Sequence, residues 1–404
     1  MRLSIAAANR ASVVLLAALL AGCSNTTPGP QALLPGVSGA TKLATQHASE
    51  DAAVQFAYVS NVFSNDVSAY SIAASGALTP VAGSPFKAGH GPNGVTIDPT
   101  GEFAFVADIG SNDVSAYTID ATSGALKKVK GSPFAAGASP VYVTVEPTGK
   151  FAYVPNVGSN DISAYTINAT SGALTPVTGS PFKAGVGAYS LAIAPSGKFA
   201  YVANYGSNTV AAYAIDAASG ALKPLPGKPL AAGINPVNVT VDPTGKFAYV
   251  ASYGSDNIYG YAIDATSGVL RPLPTSPFAD TGSGPENVVV DPTGKFAYVP
   301  NSFAPAGFSS HVAAYTIDAT RGTLTPVAGS PYTAGYLSYG AAVDSASKFA
   351  YVTNAGSNNI SAYTINAPSG ALRKVKGSPF KAGTGAFGIS VCRVTAGKCI
   401  PPPL

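Results

Sequence analysis

The feature that most constrains this chain is a sentence it writes seven times. One copy reads Phe199-Ala-Tyr-Val-Ala-Asn-Tyr-Gly-Ser-Asn-Thr-Val-Ala-Ala-Tyr-Ala-Ile-Asp-Ala-Ala-Ser-Gly-Ala-Leu. Its opening Phe recurs at Phe56, Phe103, Phe151, Phe199, Phe247, Phe296 and Phe349, in steps of 47, 48, 48, 48, 49 and 53 residues. A period of this length, holding several short strands and no helical pattern, is the signature of a β-propeller. The expected fold class is therefore all-β: seven blades of four antiparallel strands.

One repeat, residues 93–137, shows the logic. Val95-Thr-Ile97 is a short strand. Asp98-Pro99-Thr100-Gly101 follows, with Asp, Pro and Gly at the first, second and fourth positions of a type I turn. Phe103–Val106 is a second strand, apolar on both faces, as expected of a sheet stacked against neighbours on both sides. Val114–Ile119 is a third strand, and Thr122-Ser-Gly124 turns into a fourth. That last strand carries Lys or Pro in most repeats (Lys127, Pro176, Pro224, Pro272, Pro326, Lys374), which marks it as the outer edge, protected against edge-to-edge pairing.

Ring closure is legible at the ends. The first repeat begins at Val54-Gln-Phe56 without its own innermost strand, and Gly388-Ile-Ser-Val391 near the C-terminus matches Gly94-Val-Thr-Ile97. The C-terminal strand is thus expected to join the N-terminal blade. Cys392 falls where other repeats have the turn Asp, and Cys399 where they have the Phe. In an exported protein this pair reads as a disulfide, with two buried thiols as the alternative.

Export is the expectation from the N-terminus. Arg2 and Arg10 precede an uncharged apolar run, residues 11–21, too short to span a bilayer. The run ends in Leu20-Ala21-Gly22-Cys23, the pattern of a bacterial lipoprotein signal, with Cys23 lipidated. Residues 1–22 are then a signal peptide, 23–53 a flexible tether rich in Ser, Thr, Pro, Gly and Ala, and 54–400 the propeller. As a coil the tether would reach about 30 Å. Ser24, rather than Asp, follows the Cys, which points to the outer membrane of the cell envelope.

Composition narrows the partners. Charged residues make up 10% of the chain, and the net charge is +4, or +2 (21 cations, 19 anions) once Arg2 and Arg10 are removed. No block of Lys or Arg exists, so the footprint of a nucleic-acid binder is missing. No zinc-spaced Cys/His group or phosphate loop is present, and no metal or cofactor is expected. The Gly-Ser-Asn-Asp loops at Asp113 and Asp161 are explained by repeated loop structure.

The turns at one end of the blades repeat closely, with Lys150, Lys198, Lys246 and Lys295 at one position. The other end varies. There the lead-ins to the inner strands read Asn93-Gly94, Val141-Tyr142, Tyr189-Ser190, Val237-Asn238, Glu286-Asn287, Tyr339-Gly340 and Phe387-Gly388. The loops between second and third strands add Asp108, Tyr205 and Tyr253, and a five-residue insertion in blade six ends at His311. Variation with Tyr, Asn and Phe at a channel mouth is what a ligand-binding face would use.

The Tyr-Val-x-Asn-x-Gly-Ser-Asn stretch, the Gly-Ala-Leu hairpin and the Asp-Pro-Thr-Gly-Lys-Phe turn resemble the seven-bladed lactonase-like propellers, which include bacterial 6-phosphogluconolactonases and Tyr-Val-Thr-Asn repeat proteins. The resemblance covers about Val54 to Cys399. It implies Arg-His at an inner-strand lead-in after Gly-x-Gly-Pro. Here Gly282-Ser-Gly-Pro285 is followed by Glu286-Asn287, Gly89-His-Gly-Pro92 by Asn93-Gly94, and no lead-in holds Arg. The sequence therefore leads to the expectation of a monomeric, envelope-anchored binding or scaffold propeller for a small molecule, glycan or protein. The alternative is a sugar-lactone hydrolase working through Glu286 with His90 or His311.

Overall fold

A computed structural model describes residues 54–302 and 310–403. The leader, Cys23, the tether and part of the blade-six insertion lie outside these. The described chain forms seven antiparallel sheets, arranged as seven blades. The only helical element among them is a single 3-10 turn, Tyr253–Ser255.

Each blade follows the sequence plan. In blade four the strands are Ala188–Ile193, Phe199–Asn204, Thr209–Ile215 and Leu222–Pro224, in that order from the channel outward. A two-residue strand, Leu230–Ala231, adds a piece that the repeat did not announce. It pairs with the start of the third strand, while the fourth strand pairs with its end. The second strands of blades two to seven are buried along their whole length, and that of blade one from Phe56 onward, because each is covered on both faces by neighbouring blades.

The ring closes as the sequence implied. Gln55–Asn61 pairs with Ala386–Thr395, with Phe56 opposite Cys392 and Ala57 opposite Val391. The closing strand runs on into a hairpin with Lys398–Ile400, and Cys392 is bonded to Cys399, their Cα atoms 5.2 Å apart. This hairpin leans on the turn of blade two. The Cys399 N–H donates to the Gly101 carbonyl at 3.0 Å, and Lys398 Nζ meets Glu102 Oε1 at 2.8 Å.

The repeated Phe explains how blades register against one another. The hairpin glycines Gly76, Gly124, Gly172, Gly220, Gly268, Gly322 and Gly370 all have φ between +69° and +82°. Each lies flat on the Phe of the preceding blade, so that an added Cβ would overlap the ring. Six second-strand tyrosines reach the same hairpins: Tyr153 Oη, for example, donates to the Gly220 carbonyl at 2.9 Å. Blade two has Phe105 instead and lacks this bond. Third-strand tyrosines reach back the other way, as Tyr117 Oη does to the Lys87 carbonyl at 2.7 Å.

Gly220→Ala should therefore destabilise the protein by about 2–4 kcal/mol, from a left-handed backbone plus overlap with Phe151. Gly227→Ala, also at positive φ (+105°) but with nothing within 4 Å of the added carbon, should cost about 1 kcal/mol. Equilibrium or thermal unfolding of the two variants checks the difference. Equal losses would mean that the Phe–Gly contact contributes nothing.

Candidate functional site

The variable face is shaped by irregularities in the inner strands. In blade four Ala188 pairs with Asn204 and Ser190 with Ala203, leaving Tyr189 as an extra residue. The same interruption falls at Asn93-Gly94, Val237, Tyr339-Gly340 and Phe387-Gly388. In blades three and six the ladder is broken outright, with only isolated bridges at Pro140 and Pro285 before short strands Thr144–Val145 and Val289–Val290. Bulges re-aim side chains. Here they release the lead-in residues from the ladder at the mouth of the channel, just where the sequence varies.

The released aromatics pack together. The Tyr142 and Tyr189 rings are 6.4 Å apart and tilted, Tyr189 stacks on Tyr205 at 5.9 Å, and Tyr339 stacks on Phe387 at 4.5 Å. Small lead-in residues make room for them: Tyr142 lies against Gly94, where a Cβ would meet its ring. Tyr189, Tyr205 and Tyr253 rest on the core between blades five and six.

Glu286 sits among these rings. It is 8% exposed, and its Oε1 accepts a hydrogen bond from Ser302 Oγ at 2.6 Å. Burial lifts its carboxyl to about 7, against the opposing pull of the Ser302 bond. Its charge acts on Tyr142, Tyr189, Tyr253 and Tyr339, whose hydroxyls are all raised, chiefly by burial. Tyr339 is pushed up to about 12. At neutral pH these phenols are protonated donors around a carboxyl poised between its two forms. A buried titratable group so perturbed, next to the channel-lining Asn287, is a candidate for proton transfer.

Other expected site residues fall elsewhere. Asn238 lines the channel, but its Oδ1 is taken by the Val288 N–H at 3.0 Å. Asn287 lines the channel beside Glu286. Asn93 is buried, and its carbonyl accepts from Ser60 Oγ. Asp108 does not reach the face. It is fully buried at the end of the second strand, where five other blades place Asn61, Asn156, Asn204, Asn301 and Asn354 and blade five places Ser252. Those at Asn61 and Asn156 donate an amide N–H to the acid across the hairpin, at 2.7 Å. Asp108 faces Asp113 instead, and burial together with that neighbour lifts it to about 7.

Neither histidine joins Glu286. His90 is exposed at a loop tip, its N–H on Ser111 Oγ. His311 opens the third strand of blade six, paired with Asn301 and Thr333, two strands outward from the inner one. No group of three or more metal-ligating side chains occurs among the described residues. Ser302 was not singled out from the sequence. The signal was there: the position after the strand-ending Asn or its equivalent holds Val62, Ile109, Val157, Tyr205, Tyr253 and Ala355 in other blades, and only blade six has a serine.

The Glu286 carboxyl has a folded-state value raised above its unfolded one. The unfolded chain then loses the proton first, and stability falls as pH rises from about 4.5 to about 7. Glu286→Gln removes that loss. It should stabilise the protein at pH 8 by on the order of 1–3 kcal/mol and change little at pH 4. Thermal unfolding at the two pH values reads this; a variant destabilised equally at both would mean that the carboxylate is not held at a cost.

Comparison with known proteins agrees with this architecture. The sequence profile of the family "Lactonase, 7-bladed beta-propeller" matches residues 26–141 and 132–384. No curated protein sequence matches the chain. Among solved structures, a candidate 6-phosphogluconolactonase from Bacteroides uniformis superposes with a TM-score of 0.73 at 18% identity, covering 84% of this chain and 99% of that one. A second, from Bacteroides fragilis, gives 0.72 at 20% identity, covering 85% and 99%. The periplasmic gluconolactonase of Pseudomonas aeruginosa gives 0.68 at 18%, covering 86% and 100%. At these identities the structures speak for the fold, and the profile for descent: the chain belongs to the lactonase family of seven-bladed β-propellers.

Proposed function

We propose that this propeller binds a neutral sugar lactone at its tyrosine-lined mouth and hydrolyses it with Glu286 as general base. The observation that carries the reading is the Glu286 carboxyl, buried, lifted to about 7 and surrounded by protonated phenols. Family membership supports it, as does the name of the Pseudomonas aeruginosa neighbour, a gluconolactonase. A neutral substrate is preferred over a phosphorylated one because no Lys or Arg among the described residues acts on Glu286 or lines the channel. A phosphate would find no cationic partner there.

The chemistry is then simple. Glu286 as carboxylate takes a proton from water as the water oxygen bonds to the lactone carbonyl carbon. A tyrosine hydroxyl donates to the oxyanion. The ring C–O bond breaks, and Glu286 returns the proton to the departing alkoxide, giving the open hydroxy acid. The aromatic faces of Tyr142, Tyr189 and Tyr339 suit the C–H face of a sugar ring.

A second reading is binding without turnover. It rests on the lead-in residues themselves, none of which is Arg or His. Assay on glucono-1,5-lactone and on 6-phosphogluconolactone separates the two. The hydrolase reading expects turnover of the first above the spontaneous rate, with kcat/KM rising as pH passes upward through about 7, because the ionised carboxyl is the base. Glu286→Gln should lower it by about 10²–10⁴-fold. Saturable binding with no turnover at any pH would leave the binding reading standing.

The leader and Cys23 support an envelope location in this proposal, with lipidated Cys23 as the anchor. Cys23→Ser should move the protein out of the membrane fraction, and a variant that still pellets with membranes through high-salt washing would defeat the anchor.

A further inference from the structure

We infer that the central channel is a second binding element, and that it takes an uncharged aliphatic chain carried by the ligand whose polar head sits at the mouth. The ligand class is thus a lactone or ester with a hydrocarbon tail. This deepens the reading of the mouth given above.

The channel encloses about 670 Å³, within the range of small-molecule sites. No charged side chain lines it. Its bore is open because the residues two places before each turn, Thr96, Thr144, Ala192, Thr240, Val289, Ala342 and Ser390, are all small. Two of the hydroxyls are turned into the wall: Thr96 Oγ1 donates to the Val143 carbonyl at 2.6 Å and Thr144 Oγ1 to the Leu191 carbonyl at 2.7 Å. These bonds tie adjacent inner strands together and occupy both hydroxyl donors within the wall. A charged ligand group inside would lose its hydration with no partner, whereas a hydrocarbon chain would gain by leaving water.

The two ends differ in kind. Tyr142, Asn238 and Asn287 line the upper end, in the lead-ins beside Glu286. Pro99, Pro147, Pro195, Pro243 and Pro292 line the lower end, joined there by Ile400 and Pro401–Pro403 of the C-terminal tail. The tail is brought to that end by the Cys392–Cys399 hairpin and its bonds to Gly101 and Glu102. Polar groups at one end and prolines at the other fit a ligand with one polar head and an apolar tail. The tail prolines then limit the length of chain accepted.

The test uses the full chain and a series of δ-lactones bearing straight alkyl substituents of two to ten carbons. Calorimetric binding should tighten by about three- to fourfold per methylene, then level off at the chain length that reaches the prolines. Thr240→Phe, or Ala192→Phe if that variant folds poorly, should flatten the ratio between the longest and shortest members. Deleting residues 401–404, which keeps the disulfide, should move the plateau to longer chains. Affinity independent of chain length, or a series unaltered by both Phe variants, would overturn the inference. Because binding is the readout, a Glu286 without catalytic power leaves this result intact, and turnover of glucono-1,5-lactone with no chain-length effect would retain the mouth while removing the channel.

Discussion

Everything in this molecule depends on a flat contact between one blade's phenylalanine and the next blade's hairpin glycine. The contact exists because glycine alone can hold φ near +70° and offer a bare Cα face to a ring. It is made seven times, the last between Gly76 and Phe349 across the seam of the ring. Two sets of tyrosine hydroxyls lock it from both directions, so each blade is held by its neighbours through buried donors that all find carbonyls or, at Tyr315, the Asp280 carboxylate. Such bonds contribute about 1 kcal/mol each. Their larger effect is positional, since an unmet buried hydroxyl would be costly.

That stiff ring is what lets the mouth be irregular. The inner strands give up regular pairing at one end, in five bulges and two breaks, and the loss is tolerated because the second strands remain paired on their outer side and packed on both faces. The same ring holds Glu286 in a place that raises its carboxyl to about 7. A carboxyl kept there weakens the fold at neutral pH, and function is the ordinary reason such a group persists.

Near-identical repeats make departures readable. Asp108 where five other copies have Asn and one has Ser252, Ser302 where the others have Val, Ile, Ala or Tyr, Phe105 for Tyr and Glu286 as the one acid among the lead-ins each stand out against the other copies. The structure places them differently. Glu286 stands in a lead-in with its carboxyl on Ser302, whereas Asp108 is turned into its blade, because the position it fills belongs to a hydrogen bond across the second hairpin and not to the loop beyond it. His90 and His311 suit acid–base chemistry by type, but His90 lies at an exposed loop tip and His311 opens a third strand, because the loops that carry them are set by the outer hairpins and not by the lead-ins.

The sequence by itself determined the seven blades, the order of strands within each, the closure by the C-terminal strand and the face that varies. It could do so because these rest on local signals: a turn motif, short apolar strand segments between turns, and a count of repeats. Tertiary structure alone decided which variable residues meet. The meeting of Tyr142 with Tyr189, the bond from Ser302 to Glu286 across a broken ladder, and the proline tail at the far end of the channel all join residues distant in the chain or released from strand register. Register predicts side-chain direction only while the ladder continues. At the bulges it stops, and packing across the channel decides the rest.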